Sequence, residues 1–364
     1  MTPQSPRFDY NVNGVPMMLY RTDRIESVMH TALDDGKDPY TTLELMKDEQ
    51  VRQLRDDPDY RAEFRDVYRQ AEVNVFSPTV DARSLPRWQA RESILEWLHT
   101  VTTPAEVQSV IDDGDVAMVL NTQNLGALID DEIDAIERLY NQGVRIGQLT
   151  YNTQNLLGAG CTERGDGGLT KLGVEAVERM NELGFVVDLS HCGERTTLDA
   201  IEVSQRPVAI SHSGCDAVAP HARVKSDAVL EALAANDGYL GLVMIASFVA
   251  SGRESEVVDV FFEQLEHARS IVELDRIGLA SDWVTMAPTT VPERLQERLQ
   301  SAYLDGRDWD PEHNPKVAQG FGPINRYTDL WKLREEFERR GYSEAEIKRV
   351  FGRNFIEFWD RAAE

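Results

Sequence analysis

From about residue 73 to residue 281, short runs of Val, Ile and Leu alternate with longer stretches in which apolar residues recur at helical spacing. That alternation marks successive strand and helix units feeding a parallel sheet. The apolar runs predict strands near 73–76, 116–120, 146–150, 185–189, 208–211, 239–244 and 277–281. Most of the intervals between them suit one strand plus one return helix. Lys171–Leu183 shows the helical half clearly: Thr170 stands at the N-cap position, Leu172, Val174, Val177, Met180 and Leu183 recur along the stretch, and Gly184 follows as a stop. One more strand, hidden between Trp88 and Thr103 or in the loop after Phe76, would complete eight. The predicted class is therefore α/β and the predicted architecture a (β/α)8 TIM-type barrel, with a doubly wound open sheet as its rival.

The segment before Val73 differs in texture, being rich in Asp, Glu and Arg, with helical stretches near 43–52 and 60–70. Residues 1–72 are read as an N-terminal strand and helical extension packed on the barrel, and residues 73–364 as the barrel with C-terminal helices near 327–340 and 343–351. The second of these opens on the capping box Ser343-Glu-Ala-Glu346.

Composition narrows the function. The 364 residues carry 38 Lys plus Arg against 63 Asp plus Glu, a formal charge of −25. A chain so acidic lacks the positive field that nucleic acid or anionic lipid needs. Cys161, Cys192 and Cys215 have neither CxxC spacing nor an even count, which argues against a disulfide framework and for the reducing cytoplasm. The N-terminal run Met1-Thr-Pro-Gln-Ser-Pro-Arg7 lacks the apolar centre of a secretory signal, and no apolar run approaches the roughly 20 residues of a membrane span. The expected partner is a small-molecule substrate.

In a parallel barrel, reactive side chains sit where strands end. Phe185-Val-Val-Asp-Leu-Ser-His191 ends one predicted strand in a histidine, Val208-Ala-Ile-Ser-His212 ends the next in another, and Ile277-Gly-Leu-Ala-Ser-Asp282 ends a later one in a carboxylate. Imidazoles on neighbouring strand ends can share a divalent metal, and a carboxylate across the mouth can bind it or take a proton from its water. Either histidine alone fits a hydrogen-bonded core residue better. Two at equivalent strand ends, together with the aspartate, favour the metal. His30, His99, His267 and His313 are assigned ordinary surface roles. No Gly-x-Ser-x-Gly nucleophile elbow occurs.

These runs, with Pro220-His-Ala-Arg223-Val-Lys-Ser-Asp227 and Gly352-Arg-Asn354-Phe, resemble the renal (membrane) dipeptidases, peptidase family M19 of the amidohydrolase superfamily, in family order from about residue 73 to residue 358. The resemblance implies a metal-dependent barrel that cleaves dipeptides, commonly with two zinc ions bridged by a glutamate, and a homodimer. Carried over, His191 and His212 match the histidines of one metal, Asp282 the aspartate of the last strand, and Arg223 the arginine that holds the substrate carboxylate. The lesser alternative for Arg223 is a pair with an acidic surface group. His221 lies in the same loop.

The departures define what is expected here. The family's first-strand His-x-Asp pair aligns with Asn11-Val-Asn13, its bridging Glu with Gln123, and its active-site His with Tyr151. Amides are far weaker ligands than carboxylates, so the two-metal site is expected to be lost. Gln123, His191 and His212 could hold one divalent ion, zinc first and manganese or iron as alternatives. Asp282 is then the base, Tyr151 steadies the oxyanion, and Arg223, Tyr151 and Asn152 bind substrate. The mouth is rich in amides, Asn121, Gln123, Asn124, Gln148, Asn152, Gln154 and Asn155, which suit either a polar ligand pocket or turn capping. Residues 158–168, rich in glycine, are read as a flexible lid. The leading expectation is a dipeptidase-type hydrolase of a small carboxylate-bearing amide. A barrel that binds a polar ligand without hydrolysis, and a lyase on the same scaffold, are the alternatives.

Overall fold

A computed structural model describes residues 5–10, 22–282, 294–295, 297–299, 301, 321–324 and 327–364. Asn11, Asn13 and His313 lie outside the described residues. Ten strands occur among them: β1 (Phe8–Tyr10), β2 (Val75–Ser77), β3 (Leu98–Thr100), β4 (Val116–Met118), β5 (Leu120–Thr122), β6 (Val144–Gln148), β7 (Val186–Asp188), β8 (Ala209–Ser213), β9 (Tyr239–Val243) and β10 (Ile277–Ala280). All pairings between them are parallel, in the orders β1-β2-β4-β3 and β10-β9-β8-β7-β6-β5. β4 and β5 are successive pieces of one strand that changes neighbour at Val119, pairing with β3 below and with β6 above. β1 lies against β10, which brings the sheet round on itself as a TIM-type barrel.

The expected strand between Trp88 and Thr103 exists as β3, but it does not supply the eighth stave. β3 fills the lower part of the seam between β4 and β6, where Arg145 Nε on β6 donates to Thr102 O at 2.9 Å. The eighth place belongs to β1, so the segment before Val73 gives the barrel a strand as well as the helices Asp23–Asp34, Pro39–Asp56 and Pro58–Ala71. Among the described residues no helix is long and apolar enough to cross a membrane.

Strand alternation builds the interior in layers. Val75, Ala117, Ile146, Val186, Ala209 and Tyr239 form one buried cluster with Phe355, Phe358 and Trp359. Those aromatics belong to the C-terminal helix Asn354–Ala363, which closes the barrel where the strands begin. Asn354 fixes it there, donating from Nδ2 to Leu274 O and Ile277 O. One layer nearer the strands' C-terminal ends, the inward side chains turn polar: Ser77, Asn121, Gln148, Asp188 and Ser211, all buried. A sequence that were merely a scaffold would not bury polar groups at these positions.

Gly241 on β9 marks how closely the staves approach. A Cβ there would meet Ser211 O at 1.8 Å, and that contact is backbone that cannot swing away. Gly241→Ala should therefore destabilise the fold by about 1–3 kcal/mol or more, read as a lowered Tm by calorimetry. An unchanged Tm would show that β8 and β9 are not packed this tightly.

Candidate metal centre

β7 and β8 each lead to a Ser-His pair, Ser190-His191 and Ser211-His212. Asp188, the last residue of β7, binds both pairs together. It accepts from Ser190 N and Oγ at 3.1 and 2.6 Å and from Ser211 N and Oγ at 3.0 and 2.5 Å. His212 N in turn donates to Ser190 Oγ at 3.0 Å. Opposite β9 the register of β8 slips between Ile210 and Ser213, a bulge that re-aims His212 out of the regular pleat.

The bonds at Nδ1 set the state of both rings. With its proton on Asp188, Ser211 Oγ accepts from His212 Nδ1, 2.8 Å away. His191 Nδ1 lies 2.6 Å from Asn152 Oδ1, an acceptor. Each imidazole thus carries its proton on Nδ1 and turns an unprotonated Nε2 toward the other ring, the two nitrogens standing 2.9 Å apart. Lone pairs so placed repel unless an electrophile lies between them. Protonation is disfavoured, because burial pushes both histidines well below their ordinary pKa and the charges of Arg223 and Lys225 push them further. A divalent ion is the electrophile that neutral imidazoles accept.

The surrounding residues hold these rings. Tyr151 stacks on His191 with ring centroids 4.2 Å apart. Asn152 is fully buried in a left-handed conformation, φ 54°, that asparagine tolerates better than most residues. Its backbone oxygen accepts from Thr162 N, and a Cβ on the neighbouring Gly160 would meet that same carbonyl at 2.1 Å. Arg223, wholly buried, donates from Nη1 to Ser190 O at 2.6 Å and from Nη2 to His212 O at 3.2 Å, bracing the two strand ends. Its Nε is buried with no hydrogen-bond partner. His221 Nδ1 accepts from Arg223 N at 3.1 Å, so that histidine does shape the arginine's loop. Lys225 donates to Cys192 O and Thr197 Oγ1.

The predicted residues fall into two groups. His191, His212, Tyr151, Asn152 and Arg223 come together. Gln123, one residue past β5, is buried and makes no hydrogen bond to either imidazole. Asp282, two residues past β10, is half-buried with φ 49°. Among the described residues no group of three or more His, Cys, Asp or Glu side chains stands close enough to hold an ion. Cys192 and Cys215 remain thiols, since burial pushes them up to about 11 and about 12. Residues 158–168 are tied down rather than free as a lid. Asp166 accepts from Thr196 N and Oγ1 at the head of helix Glu194–Val203, and Cys161 N donates to His191 O. Sequence reasoning passed over Asp188, Ser190 and Ser211, although the repeated Ser-His at consecutive strand ends was the signal. Of the remaining histidines, His99 faces Asp115 and His267 faces Asp227 in partly exposed pairs.

The family model of membrane dipeptidase (peptidase family M19) matches residues 87–313. The chain belongs to the membrane dipeptidase family. An uncharacterized dipeptidase of Schizosaccharomyces pombe is 26% identical over 254 residues, 68% of this chain and 54% of that protein. The dipeptidase verJ of Clonostachys rogersoniana is 26% identical over 264 residues, 72% of this chain and 59% of its own. The matches thus span a little over half the length of these curated relatives. Among solved structures, an amidohydrolase from Pseudomonas aeruginosa has a TM-score of 0.70 at 26% identity, covering 82% of this chain and 91% of that one. A metallo peptidase from Rhodobacter sphaeroides, liganded with a phosphinate mimic of the dipeptide L-Ala-D-Ala, superposes with a TM-score of 0.65 over 99% of this chain and 100% of its own. At 18% identity that second likeness speaks for the fold. The family is one of metallopeptidases, in keeping with a pair of neutral, facing imidazoles at the barrel mouth.

Two histidines held neutral carry a pH signature. Their folded pKa values lie below the unfolded 6.5, so above that pH both states are neutral and nothing is lost. As pH falls below about 6.5 the unfolded chain takes up protons that the folded chain refuses, and stability drops by up to about 1.4 kcal/mol per pH unit for each histidine. Denaturant unfolding of the metal-free protein from pH 7.5 to 5 should show this slope, and His212→Asn should flatten it. An equal slope in that variant would place the titration elsewhere.

Proposed function

We propose that the protein is a metal-dependent hydrolase of the dipeptidase type, acting on a small carboxylate-bearing amide such as a dipeptide or an N-acyl or cyclic amino-acid derivative. The observation that carries this reading is the pair of facing Nε2 atoms, each ring fixed through Nδ1 by a separate acceptor. Such outer bonds are what orient histidine ligands in metal sites.

The residues suit one ion better than two. Where the family has a bridging carboxylate this chain has Gln123, whose side chain offers a neutral oxygen, and a neutral amide cannot neutralise a pair of dications. His191 and His212 would hold the single ion, with Gln123 as a weak third ligand. Zinc, manganese or iron bound there supplies Lewis acidity, polarising a carbonyl and acidifying water. Asp282 takes the proton from the attacking water and returns it to the leaving nitrogen. Arg223 keeps its Nε–H for the substrate carboxylate. Tyr151 donates to the developing oxyanion, and Asn152, whose Oδ1 orients His191, lines the substrate's place beside it. The three free cysteines accord with a reducing compartment, and the homodimer implied by the resemblance belongs to the same proposal.

The lack of a third charged ligand among the described residues favours one competitor, a barrel that binds its ligand without hydrolysis. Metal analysis separates the two. Purified protein should hold about one equivalent of Zn, Mn or Fe after incubation, and His191→Ala and His212→Ala should each abolish it while still unfolding cooperatively. Stoichiometric metal in both single variants, or none in the wild type, ends the metallohydrolase reading. Asp282→Asn, which keeps shape but removes basicity, should retain the ion and lower kcat by on the order of 10²-fold or more. Loss of the ion in that variant would make Asp282 a ligand instead of the base.

A further inference from the structure

The amides at the mouth are not equivalent. Asn121 spends both ends of its side chain, donating to Ser77 O and Oγ and accepting from Thr79 Oγ1. Asn155 ties Asn124 Oδ1 and Leu149 O and accepts from Leu157 N. Gln123 and Gln148 differ. Gln148 donates from Nε2 to Gln123 O at 2.5 Å and to Thr150 O at 2.9 Å, which fixes the amide's orientation and leaves Oε1 fully buried with no donor. Gln123 Nε2 is buried with no acceptor.

Strand parity places Gln148 inside the barrel. A Cβ on Gly147 would meet Phe185 and Met180 of the surrounding layer, whereas Ile146 belongs to the interior cluster, so Gln148 points inward with it. Two neighbouring strand ends, joined where Gln148 Nε2 meets Gln123 O, therefore carry one unspent acceptor and one unspent donor. Leaving such buried atoms unmet is unfavourable. An apolar pair would be cheaper, which makes a ligand the reason to keep them.

We propose that Gln123 and Gln148 form a recognition pair for a cis-amide edge, the side of a lactam or other cyclic amide on which N–H and C=O point the same way. The ligand N–H donates to Gln148 Oε1 and its C=O accepts from Gln123 Nε2. A linear trans peptide presents these groups on opposite sides and satisfies one of the two. The inference rests on the reading of the mouth as a site for a small carboxylate-bearing amide, and narrows its substrates to cyclic ones.

Calorimetric titration tests this with three probes: 5-oxoproline, which joins a lactam to a carboxylate, cyclopentanecarboxylate, which has the ring and charge without the amide, and N-acetylglycine, which has a trans amide. Wild-type protein should bind 5-oxoproline at least about tenfold more tightly than either of the others. Gln123→Leu removes a side chain whose Nε2 has no hydrogen bond to lose, so in the chelated protein circular dichroism should stay native while the preference falls to within about twofold. The wild-type preference should hold with the ion present and after chelation. No preference in the wild type, as when a buried water or the two amides themselves meet the need, overturns the proposal. So does a preference that survives Gln123→Leu, or one that depends on the ion. A protein that shows the preference yet holds no ion and hydrolyses nothing would sink the hydrolase reading and leave this one standing.

Discussion

Two buried nitrogen lone pairs facing each other at 2.9 Å are a repulsive contact unless something electron-deficient joins them. The upper barrel is organised around that contact. Asp188 locks the ends of β7 and β8 through four donors, Ser211 and Asn152 assign the proton of each ring to Nδ1, and Arg223 spans the carbonyls of Ser190 and His212 so that the two rings cannot drift apart. Tyr151 covers the face of His191. No member of this set acts alone, because each bond fixes the position or proton of the next group.

The chain's departures from its family follow from the same geometry. A second dication beside the histidine pair would need carboxylates to balance it, and the neighbouring strand end offers the neutral amide of Gln123. The histidine side has kept its supports. Asp188 and Ser211 stand behind His212, and Asn152 behind His191, as they must if Nε2 is to stay bare and aimed.

Much of this was legible in the chain. The strand runs were placed to within a few residues, because buried parallel strands read as continuous Val, Ile and Leu. The positions of His191 and His212 followed from strand ends alone. β1 and β3 were harder, being three residues each, too short for any period to show. Asp188, Ser190 and Ser211 were missed because small polar residues in an apolar run look like ordinary strand ends. Their importance lies in partners across the sheet, and linear spacing does not encode those. The loop at 158–168 was misread for a related reason: its glycines suggested freedom, whereas Gly160 is glycine because Asn152 leaves no room for a Cβ.

The electrostatics of the centre complete the argument. Burial keeps the imidazoles neutral, and the charges of Arg223 and Lys225, both buried and donating to backbone carbonyls and a hydroxyl, add to that, but the same charges oppose any cation placed at the rings. Asp188 offsets one of these charges from a few bonds away. The balance is restored when an anion enters, so a carboxylate-bearing ligand and an ion at the histidines would each favour the other's binding. The chain as a whole carries −25, so an anion is met by net repulsion at long range.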